Sequence, residues 1–183
     1  ATKFLLVSLS NYGSISHRVD SVKLLGCVLT DGLTGAKHVD FILNIVNQRL
    51  YLLNYFKAHG MNIHGLTLVF DAIVVSRIMY AMQAVSSLVN QADIVRINAV
   101  FKKAHRWGLT TKLLRFEDLA TQADTKLFKA LKNKDHCLHQ LLPDKRTNYS
   151  LNLRKRGHDY CLPELQTELH KSSFINRCLF KFV

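Results

Sequence analysis

The clearest pattern in the chain is a helical spacing of apolar residues between Lys37 and Lys57. The apolar positions recur at every third or fourth residue, so they share one face of a helix. They are Val39, Ile42, Val46, Leu50, Leu53 and Phe56. The spacing predicts an amphipathic helix, and we expect Gly60 to end it.

Two further helices are predicted behind the first. The stretch from Ile63 to Val89 is apolar nearly all round, which is typical of a helix that its neighbours bury. A third helix is expected to begin near Asn90, whose side chain is suited to capping, and to end at Gly108. Three helices of this length predict a bundle.

One part of the second helix, from Leu66 to Val85, approaches the length of a membrane span. It contains Asp71 and Arg77, and each of these charged side chains is costly at the middle of a bilayer. A buried central helix therefore explains the segment better than a membrane span does.

The helical spacing resumes after the third helix and ends at Pro143. Its apolar positions are Phe116, Leu119, Ala123, Leu127, Leu131, Leu138 and Leu142. An interruption is expected at residues 133–135. Residues 144–183 show no regular pattern apart from "SSFINRCLF", a short apolar segment that we expect to pack back on the body.

Two runs of branched apolar residues near the N-terminus predict strands: "KFLLVSL" at 3–9 and "SVKLLGCVLT" at 21–30. A polar, turn-prone segment separates them. The whole pattern predicts a mainly α protein, a helical bundle with a small N-terminal β-hairpin and an irregular basic C-terminal tail. The predicted division is 1–34 for the β segment, 35–142 for the bundle and 143–183 for the tail.

Charge narrows the range of partners more than it narrows the fold. The 183 residues carry a formal charge of +12, and 48% of them are hydrophobic, so the chain has enough apolar residues for a core and is also strongly basic. Nucleic acid is the commonest partner for this balance. An anionic membrane surface is a second interpretation, and charge that only maintains solubility is a third.

Two acid-free basic clusters favour nucleic acid. The first lies between Arg96 and Arg115, and on a helix its members Arg96, Lys103 and Arg106 share one flank with Lys102 beside them. Such a row repels itself unless an anion is present. Independent solvated charges are the plainer interpretation of this helix taken alone.

The second cluster extends from Lys145 to His158 and is interleaved with Tyr149. Its basic members are Lys145, Arg146, Arg154, Lys155, Arg156 and His158. Cations with aromatic neighbours suit phosphate contacts combined with stacking on bases. A disordered polar tail has the same composition.

Catalytic and metal chemistry find little support in the sequence. The pairs His136/His139 and His158/Cys161 lack zinc-finger spacing, so no metal site is predicted. There is no pair of adjacent aspartates for two-metal phosphoryl transfer, no Gly-rich phosphate loop and no nucleophile elbow.

Cysteine usage bears on the compartment. The four cysteines are too few and too scattered for a disulfide framework, and the opening residues do not resemble a secretory signal. We therefore expect an intracellular protein, nuclear or cytoplasmic, that is not secreted.

The order of sequence blocks resembles the C-terminal part of the reverse transcriptases of non-LTR retrotransposons of the jockey-like kind. The blocks cover most of residues 19–183. They are "VDSVKLLGCVLTDGLTGAKHVDFIL", "NQRLYLLNYFKAHG", "VVSRIMYA", "ADIVRINAVFKKAHRWGLTT", "DLATQADTKLFKALKN", "HQLLP", and "LRKRGHDYCLP" through "SFINRCLF". Each block is weak singly, whereas the ordered set is fairly specific.

The resemblance implies that Lys23, Leu24, Leu25 and Gly26 form a primer-grip-like strand and that the helices up to Gly108 form a thumb. The thumb of such an enzyme lies against the template-primer duplex. The residues expected to contact nucleic acid are Arg49, Lys57, Arg96, Lys102, Lys103, Arg106, Lys145, Arg146, Arg154, Lys155, Arg156 and His158.

The resemblance also implies a part of an RNA-directed DNA polymerase that is inactive alone, because the catalytic Tyr/Phe-x-Asp-Asp motif of the palm is missing. We expect no cofactor in this fragment, since Mg²⁺ belongs with the palm, and no catalytic residue. The expected partner is RNA or an RNA–DNA duplex, with no membrane and no small-molecule substrate.

The alternative is a non-enzymatic helical protein-interaction module, the product of a decayed or domesticated element copy. It predicts an exposed apolar patch around Phe174 to Phe182.

Overall fold

The computed structural model describes residues 20–146, 157–165 and 167–182. Two strands precede a series of helices, which confirms the predicted mainly α fold with a small N-terminal hairpin. The strands are β1 (Ser21–Leu24) and β2 (Cys27–Thr30). The α-helices are α1 (Ala36–Ala58), α2 (Ile63–Phe70), α3 (Ser76–Met79), α4 (Met82–Val85), α5 (Gln91–Arg106), α6 (Phe116–Leu131), α7 (Glu168–Ser172) and α8 (Phe174–Lys181).

The helix predicted over residues 37–57 is confirmed as α1, and the helix predicted from Asn90 is confirmed as α5. The side chain of Asn90 accepts a hydrogen bond from the amide of Asp93 at 2.8 Å, as a capping residue does. The backbone adopts positive φ at Gly60 and at Gly108, where the two helices end. Local signals therefore determine both helices.

The central helix is more irregular than its sequence predicts. A π-helical segment, Asp71–Val75, joins α2 to α3, and α4 begins only after a break at Tyr80 and Ala81. Ala81 lies in the left-handed region with φ of 53°. The prediction of one continuous helix to Val89 is therefore wrong.

The break coincides with a tertiary contact. The hydroxyl of Tyr80 donates to the carbonyl of Leu25 in the hairpin at 3.0 Å. A Cβ atom at Gly26 would lie 3.4 Å from the Tyr80 ring, so the hairpin approaches that ring closely. No glycine or proline marks the break in the sequence, and local propensity gives no sign of it.

By length and composition alone, the 26 residues Ile63–Leu88 are apolar enough to cross a membrane. In this fold their inward side supplies Leu66, Phe70, Val74 and Ile78 to the main hydrophobic core, which also contains residues of α1 and α5. Only 28% of the segment's most apolar 18 residues are buried, so the segment packs one side on the core, and the prediction that its neighbours bury it nearly all round is wrong.

The hairpin differs in detail from its prediction. Residues 21–30 were expected to form one strand, whereas they fold back on themselves as β1 and β2 with Leu24 opposite Cys27. Leu25 and Gly26 form the two-residue turn, both with positive φ, which matches the right-handed twist of the strands. The other predicted strand, at 3–9, lies outside the described residues.

The C-terminal segment packs on α6, as expected for "SSFINRCLF". Cys178 and Leu179 of α8 are fully buried in a second apolar cluster with Phe128 of α6 and Tyr160. Arg177 fixes the same helix, since its guanidinium donates to both carboxylate oxygens of Asp124, at 3.0 and 3.2 Å. The tail thus contains two short helices in addition to irregular backbone.

Candidate nucleic-acid interface

Helices α1 and α5 lie side by side and run in the same direction. Near their beginnings, Arg96 of α5 contacts Asp40 of α1 at 2.5 Å. Near their ends, the ammonium group of Lys57 donates to the carbonyl of Trp107 at 2.5 Å. The outer side of this pair, towards the C-terminal ends, carries a group of cations and aromatic rings. We call this surface the α1–α5 face. Its contacting residues are Tyr51, Lys57, Lys103 and Trp107. Tyr55 lies one turn beyond Tyr51 on α1, and Lys102 and Arg106 are exposed at the end of α5.

The aromatic members of the α1–α5 face contact one another and a cation. The ammonium group of Lys103 lies 4.5 Å from the centre of the Trp107 ring, within cation–π range. The ring of Tyr51 meets Trp107 edge-on, with 6.5 Å between ring centres. Tyr51 and Tyr55 are 70% and 58% exposed. The face therefore offers large aromatic surfaces to solvent beside positive charge.

The cations at the end of α5 have no carboxylate within 4 Å in the described part of the chain. Lys102 and Arg106 are exposed, and Lys103 is half-buried beside Trp107. Both Lys103 and Arg106 lie in the last turn of the helix, where the helix dipole favours positive charge. The dipole stabilises these charges modestly, whereas a bound polyanion would neutralise them.

Arg96 requires a correction. It was predicted to belong to an acid-free row, yet its guanidinium bonds to Asp40 at 2.5 Å and to Asp93 at 3.0 Å. The hydrogen bond to Asp40 is the main reason that the pKa of Arg96 is raised above its ordinary value. An arginine held by two carboxylates is already neutralised, so Arg96 is removed from the predicted phosphate ligands.

Two more cations of the first cluster are paired in the same way. Lys112 contacts Asp71 at 2.5 Å, and Arg115 contacts Glu117 at 3.7 Å. The stretch without acids in the sequence is therefore not free of acids in space. Within the described residues, only the cations of its middle part, from Lys102 to Arg106, have no carboxylate within 4 Å, as predicted.

Arg49 also requires a correction. Its guanidinium donates to the carbonyl of Ile73, in the π-helical segment where the regular helical hydrogen bonds are shifted. The side chain is half-buried between α1 and this segment. Arg49 thus supports the fold, and it is a poor phosphate ligand.

The second basic cluster is only partly described, because Arg154, Lys155 and Arg156 lie outside the described residues. Lys145 is exposed and pairs through its backbone with Tyr160. The guanidinium of Arg146 donates to the carbonyl of Tyr160 at 3.2 Å.

His158 was predicted to clamp a strand, and this prediction is wrong. It is buried, its Nε2 donates to the carbonyl of Leu179 at 2.7 Å, and its Nδ1 accepts from the amide of Tyr160 at 3.2 Å. Both ring nitrogens are therefore used in positioning the tail.

The primer-grip-like residues lie in the hairpin. Lys23 and Leu24 are in β1, while Leu25 and Gly26 form the turn. The ammonium group of Lys23 lies 4.8 Å from the centre of the Phe41 ring on α1. Leu24 and Leu25 are exposed. This arrangement orients the hairpin through α1 and Tyr80.

Sequence reasoning missed Tyr51 and Tyr55 as candidate functional residues. Both lie on the polar side of α1, away from the apolar stripe that contains Leu50 and Leu53. Their four-residue spacing places them on one side of the helix. Two tyrosines at this spacing on a polar helix side are the signal from which they might have been recognised as a surface feature.

No group of three or more His, Cys, Asp or Glu side chains within the described ranges is placed to hold a metal ion. Comparisons with known proteins find no matching family model, no matching curated protein and no matching solved structure.

Proposed function

We propose that this chain is part of a non-LTR retrotransposon reverse transcriptase and that it binds template-primer nucleic acid through the α1–α5 face. The observation that carries the proposal is a group of three cations at the end of α5, Lys102, Lys103 and Arg106, that have no carboxylate partner in the described structure, with Lys103 lying against the ring of Trp107. The ordered sequence blocks quoted above support the assignment to this class of enzyme.

The proposed role is binding without catalysis. The chain contains no adjacent aspartates of the kind that hold Mg²⁺ for nucleotide transfer. Cations spaced along a helix contact phosphates irrespective of base sequence. The expected ligand is therefore RNA or an RNA–DNA duplex, bound without sequence preference and with a steep dependence on salt.

The alternative, a protein-interaction module, has less support. It requires an exposed apolar patch around Phe174 to Phe182, and Cys178 and Leu179 in that segment are fully buried against α6. Phe180 is the large apolar side chain of the segment that remains exposed. A single exposed ring is ordinary for a protein surface.

A charge-reversal experiment tests the proposal. The triple variant K102E/K103E/R106E is compared with K37E/K134E/K171E, which reverses three exposed lysines on other elements and changes the net charge equally. Fluorescence anisotropy with a labelled RNA–DNA duplex at several salt concentrations gives the affinity and its slope against salt. We expect the slope to shrink by about 2 to 3 in the first variant, from three lost phosphate contacts.

The control variant should keep nearly all of the slope. Equal losses in the two triple variants would mean that only the total charge matters, and the proposed interface would be rejected. An affinity for the duplex that does not change with salt would reject phosphate binding altogether.

A further inference from the structure

We propose that the α1–α5 face binds single-stranded nucleic acid by stacking unpaired bases on Tyr51 and Tyr55. The inference rests on the proposed function for the phosphate contacts and adds the class of ligand. A duplex keeps its bases stacked inside, so it can meet this face only through its backbone. A single strand can meet the cations and the rings together.

The first argument is the exposure of the two rings. A tyrosine ring normally buries most of its apolar surface, and here two of them are more than half exposed on one side of α1. Leu52, the residue next to Tyr51, is also exposed. Scattered exposed apolar residues need no explanation, but a group of them beside cations without carboxylate partners is typical of a binding surface.

The second argument is the orientation of the rings. Tyr51 meets Trp107 at an angle of 70°, so the two rings are not stacked and at least one face of Tyr51 stays available. Tyr55 lies against His59, with 4.0 Å between ring centres and 34° between ring planes. One face of Tyr55 is thus supported by an imidazole while the ring remains largely exposed. An aromatic ring supported from behind is a suitable platform for a base.

The third argument is the spacing between rings and cations. Tyr51 and Tyr55 are four residues apart on one helix, which separates their Cα atoms by about 6 Å along the axis. Lys103 belongs to the same group, because its ammonium lies 4.5 Å from the centre of the Trp107 ring that Tyr51 also contacts. A cation is thus close to stacking rings, a combination found on surfaces that bind single strands without sequence preference.

The test uses the full chain and three probes of about 16 nucleotides, the upper site size of such platforms. The probes are a single-stranded DNA, the same strand with abasic sites throughout its middle, and the corresponding duplex. The variants are Y51A/Y55A and the conservative Y51F/Y55F, which keeps both rings. Both tyrosines are exposed, and thermal melting followed by circular dichroism verifies that each variant folds.

We expect Y51A/Y55A to bind the normal single strand about 5- to 150-fold more weakly per stacked base lost. Its affinity for the abasic strand and for the duplex should hardly change, and Y51F/Y55F should bind like the unmodified protein. A second readout is available because Trp107 is the one tryptophan of the chain. A base stacked on Tyr51 should quench the fluorescence of Trp107, whereas binding of the abasic strand should leave this fluorescence unchanged.

The outcomes separate this inference from the proposed function. If the unmodified protein binds normal and abasic strands equally, or if Y51A/Y55A weakens all three probes alike, stacking is rejected while phosphate binding stands. If K102E/K103E/R106E leaves the binding of all three probes unchanged, the proposed interface itself is rejected, and with it the inference that depends on it.

Discussion

Positive charge is used differently at the two ends of α5. At its beginning, Arg96 is bonded to Asp93 on the same helix and to Asp40 on α1. At its end, Lys102, Lys103 and Arg106 have no carboxylate partner within the described residues, and Lys103 lies against the ring of Trp107. All four cations belong to the acid-free stretch 96–115, yet Asp93 lies only three positions before it and Asp40 meets it in space, so a run without acids does not by itself identify a binding surface. The partners in space decide between a structural role and a binding role.

Cations paired with carboxylates should stabilise the fold, and the largest effect is expected at the most buried of these pairs, Arg177 and Asp124. The side chain of Arg177 is 22% exposed and that of Asp124 is 7% exposed, and together they join α8 to α6. In D124N the guanidinium keeps the carbonyls of Ser172 and Gln83 as acceptors and loses its counter-charge. We expect the free energy of unfolding to fall by about 3 kcal/mol, the lower end of what a broken buried pair costs.

Urea unfolding followed by circular dichroism measures this loss. D135N is the matched control, because Asp135 is exposed and forms no ion pair in the described structure. The double variant D124L/R177M should recover part of the stability, since it removes both charges together. If D124N is as stable as D135N, the ion pair does not hold the tail in place.

A smaller effect is expected when Arg96, at the beginning of α5, loses one of its carboxylate partners and so becomes more like the unpaired cations at the end of the helix. D40N removes the exposed partner of Arg96 and leaves Asp93. Because the Arg96–Asp40 contact lies at the surface, we expect a loss of stability of about 0.2 to 1 kcal/mol. The salt slope of nucleic-acid binding should steepen by up to about 0.9, since Arg96 becomes available to a phosphate.

Anisotropy titrations of D40N and D135N at several salt concentrations check this expectation, because both substitutions raise the net charge by one. Only D40N should steepen the slope. An equal change in the two variants would mean that the pairing of Arg96 is irrelevant to binding and that overall charge alone controls affinity.

Local signals explain which parts of the fold the sequence predicts. The spacing of Val46, Leu50 and Leu53 locates α1 to within a residue or two at each end, and Asn90 marks the start of α5. The break at Tyr80 coincides with a hydrogen bond to Leu25, which is 55 positions away and leaves no local signal. The turn at Leu25 and Gly26 lacks the usual Asn-Gly or Asp-Gly pair, so residues 21–30 resemble one strand.

In the candidate site too, some features are predictable from local sequence and others depend on residues far away in the chain. The cations at the end of α5 and the ring of Trp107 lie within one short stretch of sequence, so their grouping was predictable. The removal of Arg96 from the site was only partly predictable, because Asp93 lies three positions before it on the same helix whereas Asp40 is 56 positions away in the chain. Tyr51 joins the site only because α1 and α5 run side by side, which brings its ring to Trp107.

A further effect, seen in the pH dependence, is expected at a buried group that avoids charge altogether. Nδ1 of His38, on α1, accepts a hydrogen bond from the amide of Val28 in β2 at 3.2 Å. Burial lowers the pKa of His38 below its ordinary value of 6.5, and the charge of Arg77 lowers it further. The charge of Arg96 is balanced by two carboxylates. The charge of Arg77, in contrast, lies near an imidazole, His38, that stays neutral.

The sign of the pH dependence follows from this lowered pKa. The unfolded chain takes up a proton at His38 near pH 6.5, while the folded chain resists it. The stability that the neutral ring contributes is therefore fully present above pH 6.5 and is lost as the pH falls through 6.5 towards the lowered pKa of the folded state. Protonation of Nδ1 also removes the acceptor for Val28, a bond that contributes about 0.5 to 1.5 kcal/mol.

Hydrogen exchange at the Val28 amide should accelerate on acidification relative to amides within α1, after correction for the intrinsic rate. In H38N, whose side-chain oxygen can accept from Val28 and does not titrate, this acceleration should disappear. Its persistence in H38N would assign the effect to another of the nine histidines.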